Sequence, residues 1–242
     1  MTGPGCLRRF APRPHARLRV VCLPHAGASA GAYFPWVRAL PSDVELVAVQ
    51  YPGRADRFAE VPYEEMADLV AEVRDALLGG LEGPYALFGH SMGAAVAYET
   101  ARALRDAGVR EPCRLVVSGR APVPRTLATG HPPGSEEDAL ATLRLLGGTP
   151  SGLLEDPEAR ALLLPAFRAD LRLMRAYRHT PPDPRLDCPV TALLGADDPL
   201  TDAEGAAAWS AVTTGPFASF VLPGGHFYLA QHSREVLARL TA

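Results

Sequence analysis

The pentapeptide Gly89-His90-Ser91-Met92-Gly93 leaves this chain little conformational choice. It follows the apolar run Tyr85-Ala86-Leu87-Phe88 and opens a helix-forming stretch from Ala94 to Ala101, so a strand must become a helix within a few residues. A serine between two glycines at such a junction is the pattern of a nucleophile elbow, a strained turn that holds the hydroxyl out at the end of a sheet. A Cβ at either glycine would stand where the strand and helix backbones close on each other. With 22 Gly in 242 residues, about 0.07 such pentapeptides arise by chance, so the flanking strand and helix carry the assignment as much as the motif does.

The rest of the chain fits that junction. Short apolar runs at 18–23, 44–49, 85–88, 114–118, 189–194 and 217–222 read as strands. Between them, Met66, Leu69, Val70, Val73 and Leu77 recur at helical spacing within 63–78, with Gly79-Gly80 as a stop, and 94–107 and 203–212 also read as helices. An aromatic helical stretch surrounds Tyr33, Phe34 and Trp36, and a last helix ends near Leu240. Strand and helix in alternation predict a mostly parallel sheet with helices on both faces. The rhythm breaks from Gly119 to Pro184, where two helices, about 136–146 and 155–178 with an interruption at Pro165, replace any strand. A helical insertion there, about 120–184, is expected to form a lid over a pocket. Residues 17–242 then make one domain, and the Pro- and Arg-rich residues 1–16 are expected to be a disordered lead-in.

Composition narrows the partners. A net charge of −3 gives no reason to expect nucleic acid, and no apolar run approaches the ~20 residues of a membrane span. The N-terminus lacks the apolar segment of a signal peptide, which predicts a cytoplasmic protein. Cys6, Cys22, Cys113 and Cys188 are scattered without a C-x-x-C pair, and the seven His form no ligand pair, so neither disulfide nor metal site is expected. Cys22 and Cys188 fall in or beside strands and read as buried small hydrophobes.

A serine hydroxyl becomes a nucleophile only when a base takes its proton and a third group holds that base in one tautomer. After Ser91 the chain offers an acid loop, Gly195-Ala196-Asp197-Asp198-Pro199, and then a histidine loop, Pro223-Gly224-Gly225-His226, each closing a strand. Ser, Asp, His is the order of the α/β-hydrolase fold, whose strand C-termini share one edge. His226 is the histidine at a strand end after the acid. Asp197 and Asp198 compete for the orienting role, and the spacing of a glycine, two residues and then the acid favours Asp198. Backbone N–H donors for an oxyanion are expected at Met92 and, in the small-residue loop after the first strand, at Ala26. His25 and His90, beside those donors, read as packing or positioning groups.

Six ordered segments from Leu18 onward resemble the type II thioesterases, stand-alone editing hydrolases of modular polyketide and nonribosomal peptide synthases. They are Leu23-Pro24-His25-Ala26-Gly27-Ala28, Val49-Gln50-Tyr51-Pro52-Gly53-Arg54, Gly89 to Gly93, Val117-Ser118-Gly119-Arg120, the Asp197-Asp198-Pro199 loop and Gly224-Gly225-His226-Phe227. The resemblance implies that Ser91, Asp198 and His226 form the triad. It also implies that the substrate is an acyl group on the phosphopantetheine arm of an acyl or peptidyl carrier protein, with no cofactor or metal of the protein's own and a monomeric enzyme. Ala28 departs from the family, which usually has a second glycine there; a positive φ at that position would strain Ala28 and shift the Ala26 donor. A carboxylesterase or lipase using the same triad on oxygen esters is the rival enzyme, and a catalytically dead hydrolase fold serving as a binding module is the rival outside catalysis.

Within the insertion, Phe167, Leu171, Met174 and Tyr177 share one helical face and are expected to shelter the acyl chain. Arg168, Arg172, Arg175 and Arg178 form a stripe between them. The stripe is either a solvated face or a docking surface for an acidic carrier protein.

Overall fold

The computed structural model describes residues 5–123, 127–179 and 185–241. Seven strands form one sheet: β1 (Leu7–Arg8), β2 (Leu18–Leu23), β3 (Val44–Val49), β4 (Tyr85–His90), β5 (Arg114–Ser118), β6 (Val190–Gly195) and β7 (Phe217–Leu222). Their spatial order is β1-β3-β2-β4-β5-β6-β7; β1 is antiparallel to β3 and every other pairing is parallel. Every residue of β2, β3 and β4 is buried, as expected of central parallel strands covered on both faces.

Period-2 alternation divides each strand between two cores. On one face Val21, Leu23, Val47, Leu87 and Val117 pack against α1 (Met66–Gly80) and α2 (Met92–Asp106). On the other, Val20, Cys22, Leu46, Phe88 and Val116 meet Tyr33 and Trp36 of a 3-10 helix (Ala30–Arg38) and Val236, Leu237 and Leu240 of the closing helix. Helices therefore cover both faces, as the strand–helix alternation predicts. Helix α1 buries Met66, Leu69, Val70, Val73 and Leu77 and includes Gly79 and Gly80, its last turn closed by Leu81 N–H on the Leu77 carbonyl at 2.9 Å.

Between β5 and β6 lie three helices, α3 (Glu136–Leu146), α4 (Ser151–Glu155) and α5 (Pro157–Ala176). They share a small core of their own, Ala139, Leu140, Leu154, Leu164 and Phe167, which touches Ala26. The helical break expected at Pro165 falls instead at Asp156, whose carboxylate accepts from Glu158 N–H at 2.9 Å and starts α5 at Pro157. Pro165 stays inside the helix on an exposed side, where the carbonyl its ring leaves unbonded is open to solvent. Of the expected 120–184 insertion, residues 124–126 and 180–184 lie outside the described residues.

After β6 come α6 (Ala203–Ala207), a 3-10 turn (Ala208–Val212) in place of one continuous helix, and α7 (Ser233–Thr241) after β7.

The expected disordered lead-in is corrected from residue 5 onward. Leu7 and Arg8 pair with Val49 and Ala48, and Cys6 is fully buried with its carbonyl accepting from Gln50 N–H. Arg13 donates to main-chain carbonyls of Pro41, Val44 and Val37, so side chains of the Arg-rich segment are themselves bonds to the domain. Residues 1–4 lie outside the described ones.

Candidate active site

Strand β4 delivers Ser91 to the C-terminal edge of the sheet with φ 56° and ψ −115°, a conformation that non-glycine residues rarely adopt. Ser91 N–H donates to the Ser118 carbonyl at 2.8 Å, which fixes the turn to the next strand. A Cβ on Gly89 would lie 1.9 Å from the Gly93 carbonyl oxygen, and one on Gly93 would lie 2.0 Å from that of Leu23. Both glycines are therefore sterically required, and the cost of the strained serine is carried by the packing around it.

At the same edge β6 ends at Gly195 and β7 at Leu222, in register with each other. The two following loops are tied by Asp197 N–H on the Gly224 carbonyl at 3.0 Å. His226 Nδ1 lies 2.9 Å from Asp198 Oδ2, and both side chains are fully buried. The other oxygen, Oδ1, accepts from Leu200 N–H at 2.9 Å, so the carboxylate is held at both ends. Asp197 is exposed and only its backbone takes part. With Nδ1–H donating to Asp198, Nε2 is left as an acceptor; it is buried and has no hydrogen-bond partner among the described residues. Ser91 and His226 line one cavity, which gives Nε2 a place to receive the serine proton.

Three imidazoles crowd this corner. The His90 ring is 4.8 Å from that of His226 and 5.8 Å from that of His25. His90 Nδ1 is 2.9 Å from Ser118 Oγ, which in turn is 2.6 Å from the Tyr228 hydroxyl. Burial, together with the neighbouring imidazoles, pushes the His25 pKa down to about 4 and that of His90 well below the ordinary value. Both are neutral at pH 7, so neither opposes a positive charge developing on His226. His25 packs edge-on against the rings of His90 and Phe227, and His90 packs against His226.

Met92 opens α2, where the first N–H groups have no acceptor inside the helix. Ala26 N–H makes no backbone bond among the described residues. Both residues line a cavity with Ser91. The strain anticipated at Ala28 does not arise: the positive φ in this loop, 76°, falls on Gly27, and Ala28 is not among the positive-φ residues.

Gly27 also exposes what sequence reasoning missed. Its N–H donates at 2.7 Å to Asp170 Oδ2 on α5, and Asp170 receives both terminal nitrogens of Arg54, one of them at 2.8 Å to Oδ1. The pair is almost fully buried. It joins the loop after β2, the Pro52-Gly53-Arg54 turn and the insertion at one point. A signal was present: Asp170 stands three residues after Phe167 and three before Leu173, on the buried face of an otherwise apolar stripe.

Two cavities meet at Ser91. The smaller, about 280 Å³, is lined by His25, Leu153, His226 and Phe227 among others; the larger, about 490 Å³, by Met92, Arg120, Tyr177 and His179. Ala26, Leu146 and Phe167 border both. Phe167, Leu171 and Met174 of α5, and Tyr177 just past its last residue, line the larger cavity together. The arginine stripe divides. Arg168 donates to the Gly134 carbonyl at 3.0 and 3.1 Å, Arg175 pairs with Asp138, and Arg178, which lies beyond α5 because the helix expected to reach 178 ends at Ala176, donates to the carbonyls of Arg175 and Tyr177. These three serve internal contacts, and Arg172 is the exposed member without a side-chain partner among the described residues.

No group of three or more metal-ligating side chains, and no helix long and apolar enough to cross a membrane, occurs among the described residues.

A family model described as a thioesterase domain matches residues 18–242. Thioesterase PikA5 of Streptomyces venezuelae is 43% identical over 234 residues, 95% of this chain and 82% of that protein. The probable cadicidin biosynthesis thioesterase of Streptomyces griseus is 42% identical over 226 residues, 93% of this chain, and this chain spans 62% of its length. Among solved structures, the type II thioesterase BorB from the borrelidin biosynthetic cluster superposes with a TM-score of 0.86 at 42% identity, covering 97% of this chain and 95% of that one. Similarity of this extent, running through the strands and loops that hold the serine, the aspartate and the histidine, makes this chain a member of the thioesterase family with the α/β-hydrolase fold.

Proposed function

We propose that the chain hydrolyses acyl thioesters borne on the phosphopantetheine arm of acyl or peptidyl carrier proteins, clearing stalled or aberrant acyl groups from a polyketide or nonribosomal peptide synthase. The observation that carries this reading is the buried Asp198–His226 bond with an unpartnered Nε2 in the cavity of a strained, cavity-facing serine. The names of the relatives, which join thioesterase to a biosynthesis and to a biosynthetic cluster, support this substrate class.

Ser91 attacks the thioester carbonyl while His226 Nε2 takes its proton, and Asp198 holds the imidazole and balances its charge. The N–H groups of Met92 and Ala26 receive the oxyanion. Collapse breaks the C–S bond, and the leaving sulfur takes the proton from His226 to become the free thiol of the carrier's arm, leaving the acyl group on Ser91. A thiol of pKa ~8.5 leaves readily, so this step demands little of the acid. Water, activated by His226, then releases the carboxylic acid. The sequence of steps uses no cofactor of the enzyme. All three side chains come from one chain, which suits a monomer, and a cytoplasmic setting is the one that carrier proteins share.

The test is turnover of an acyl-loaded carrier protein beside a matched oxygen ester. We expect Ser91→Ala to abolish release of acid and of free thiol from the carrier, and the wild type to favour thioester over oxygen ester in kcat/KM. Unchanged turnover in Ser91→Ala overturns the nucleophile, and a preference for the oxygen ester returns the protein to the carboxylesterase reading.

A further inference from the structure

We propose that the larger cavity is the acyl pocket and that Arg120 makes it selective for acyl groups carrying an oxygen acceptor beyond the thioester carbonyl. The inference rests on the reading of Ser91 and His226 above. His226 must return its proton to the departing sulfur, so the thiol arm lies in the cavity that His226 lines, the smaller one. The acyl chain, on the other side of the carbonyl carbon, takes the cavity lined by Ser91 and Met92 without His226.

One wall of that cavity is Arg120, nine-tenths buried, immediately after the β5 turn at Gly119. Its main chain is fixed, the carbonyl accepting from Trp209 Nε1 at 2.7 Å. Its guanidinium lies 5.9 Å from the Tyr177 ring centre and makes neither a hydrogen bond nor an ion pair to any described residue; Nε is buried without a partner. The Tyr177 hydroxyl donates to Glu99 at 2.6 Å and makes no hydrogen bond with the Arg120 guanidinium. His179 lines the same cavity, and its Nδ1 is likewise buried and without a partner among the described residues.

Arg54 provides the internal comparison. It is equally buried, but it has the Asp170 carboxylate across a bidentate contact. Burying a guanidinium without an acceptor is unfavourable, and such a group binds strongly to any ligand that supplies one. Burial lowers the Arg120 pKa to about 10, with Tyr177 opposing that shift, so the group is still cationic at neutral pH. A carboxylate or a hydroxyl oxygen on the acyl chain satisfies it; a plain alkyl chain leaves it desolvated and unpaired.

The experiment compares three four-carbon thioesters of N-acetylcysteamine: butyryl, 3-hydroxybutyryl and succinyl. The wild type is expected to favour one or both oxygenated substrates over butyryl by about 10- to 100-fold in kcat/KM, the range of a charge-assisted hydrogen bond. Arg120→Met and Arg120→Gln, checked for folding by circular dichroism, should reduce that ratio to near one for Met. Which oxygenated substrate leads tells carboxylate from hydroxyl. A ratio near one in the wild type, or a preference that survives in Arg120→Met, overturns the proposal. Calorimetric binding of the same three thioesters to Ser91→Ala protein gives a readout without turnover. Preferential binding of an oxygenated thioester by Ser91→Ala protein, when the wild type hydrolyses none of the three, would sink the reading of Ser91 and leave Arg120 standing, whereas equal binding of all three thioesters overturns Arg120 as well.

Discussion

Replacing Asp170 by Ala removes one carboxylate that serves three elements at once. Arg54, 6% exposed, is left charged and unpaired, and the N–H of Gly27 loses its acceptor. Breaking a buried pair from one side costs about 3–5 kcal/mol, and an orphaned buried N–H about 1–3 kcal/mol. The two losses share one site and do not add fully. We therefore expect a destabilisation of about 4 kcal/mol, which in a chain of this size lowers Tm by roughly 8–16 °C. Turnover should fall as well. Gly27 is covalently next to Ala26, so a loop released from α5 lets the oxyanion donor drift, and a displacement of ~1 Å near the reacting carbonyl costs about 100-fold. Urea unfolding at equal slope, followed by kcat on a short acyl thioester at a temperature where the variant is folded, separates the two effects. Asp170→Asn keeps an acceptor for Gly27 and should lose stability but less of kcat. The apolar pair Arg54→Met with Asp170→Leu should recover stability and not turnover. A loss under 1 kcal/mol in Asp170→Ala with unchanged kcat refutes the reasoning.

Asp198→Asn should lower kcat by about 10⁴-fold, as removal of the orienting acid does in the serine protease template, while exposed Asp197→Asn changes it less than threefold; steady-state rates of the two variants decide the register of the loop. His25 and His90 are held neutral in the fold and protonate more readily when unfolded, so the unfolded state binds more protons between about pH 4 and the ordinary histidine value of 6.5. Stability should then rise with pH through that window and flatten above it, and His25→Phe should shallow the slope measured by urea midpoints across pH. Arg172→Glu should lower kcat/KM for a carrier-borne substrate about three- to tenfold at low ionic strength, with the deficit shrinking in salt and a pantetheine thioester far less affected. Equal losses on both substrates would assign Arg172 to the folding of α5.

Local pattern carried much of this molecule. The elbow was legible because a Cβ at Gly89 or Gly93 would meet the Gly93 or Leu23 carbonyl oxygen at 1.9 or 2.0 Å, so the turn demands glycine at both positions. The six principal strands were legible from apolar runs, and the buried face of α1 from its spacing, because a residue's burial there repeats with the period of its own element. The order Ser91, Asp198, His226 followed from parallel strands ending at one edge. Beyond that range, pattern ran out. Asp197 and Asp198 differ by one position in one loop, and their fates were set by which of them faces His226, 28 residues from Asp198. Strand β1 is two residues long and forms because Val49 and Ala48 offer it an edge. Arg54 and Asp170 are 116 residues apart, and no local rule joins them. The arginine stripe looked uniform along its helix, yet Gly134 and Asp138 claim Arg168 and Arg175, while Arg120, embedded in a plain Ser-Gly-Arg turn, was left facing the cavity unpaired. Hydrophobic periodicity is a property of one segment, whereas the partner of a buried charge is chosen by the packing of distant segments, so the tertiary structure alone assigned these ion pairs and left buried Arg120 without a partner among the described residues.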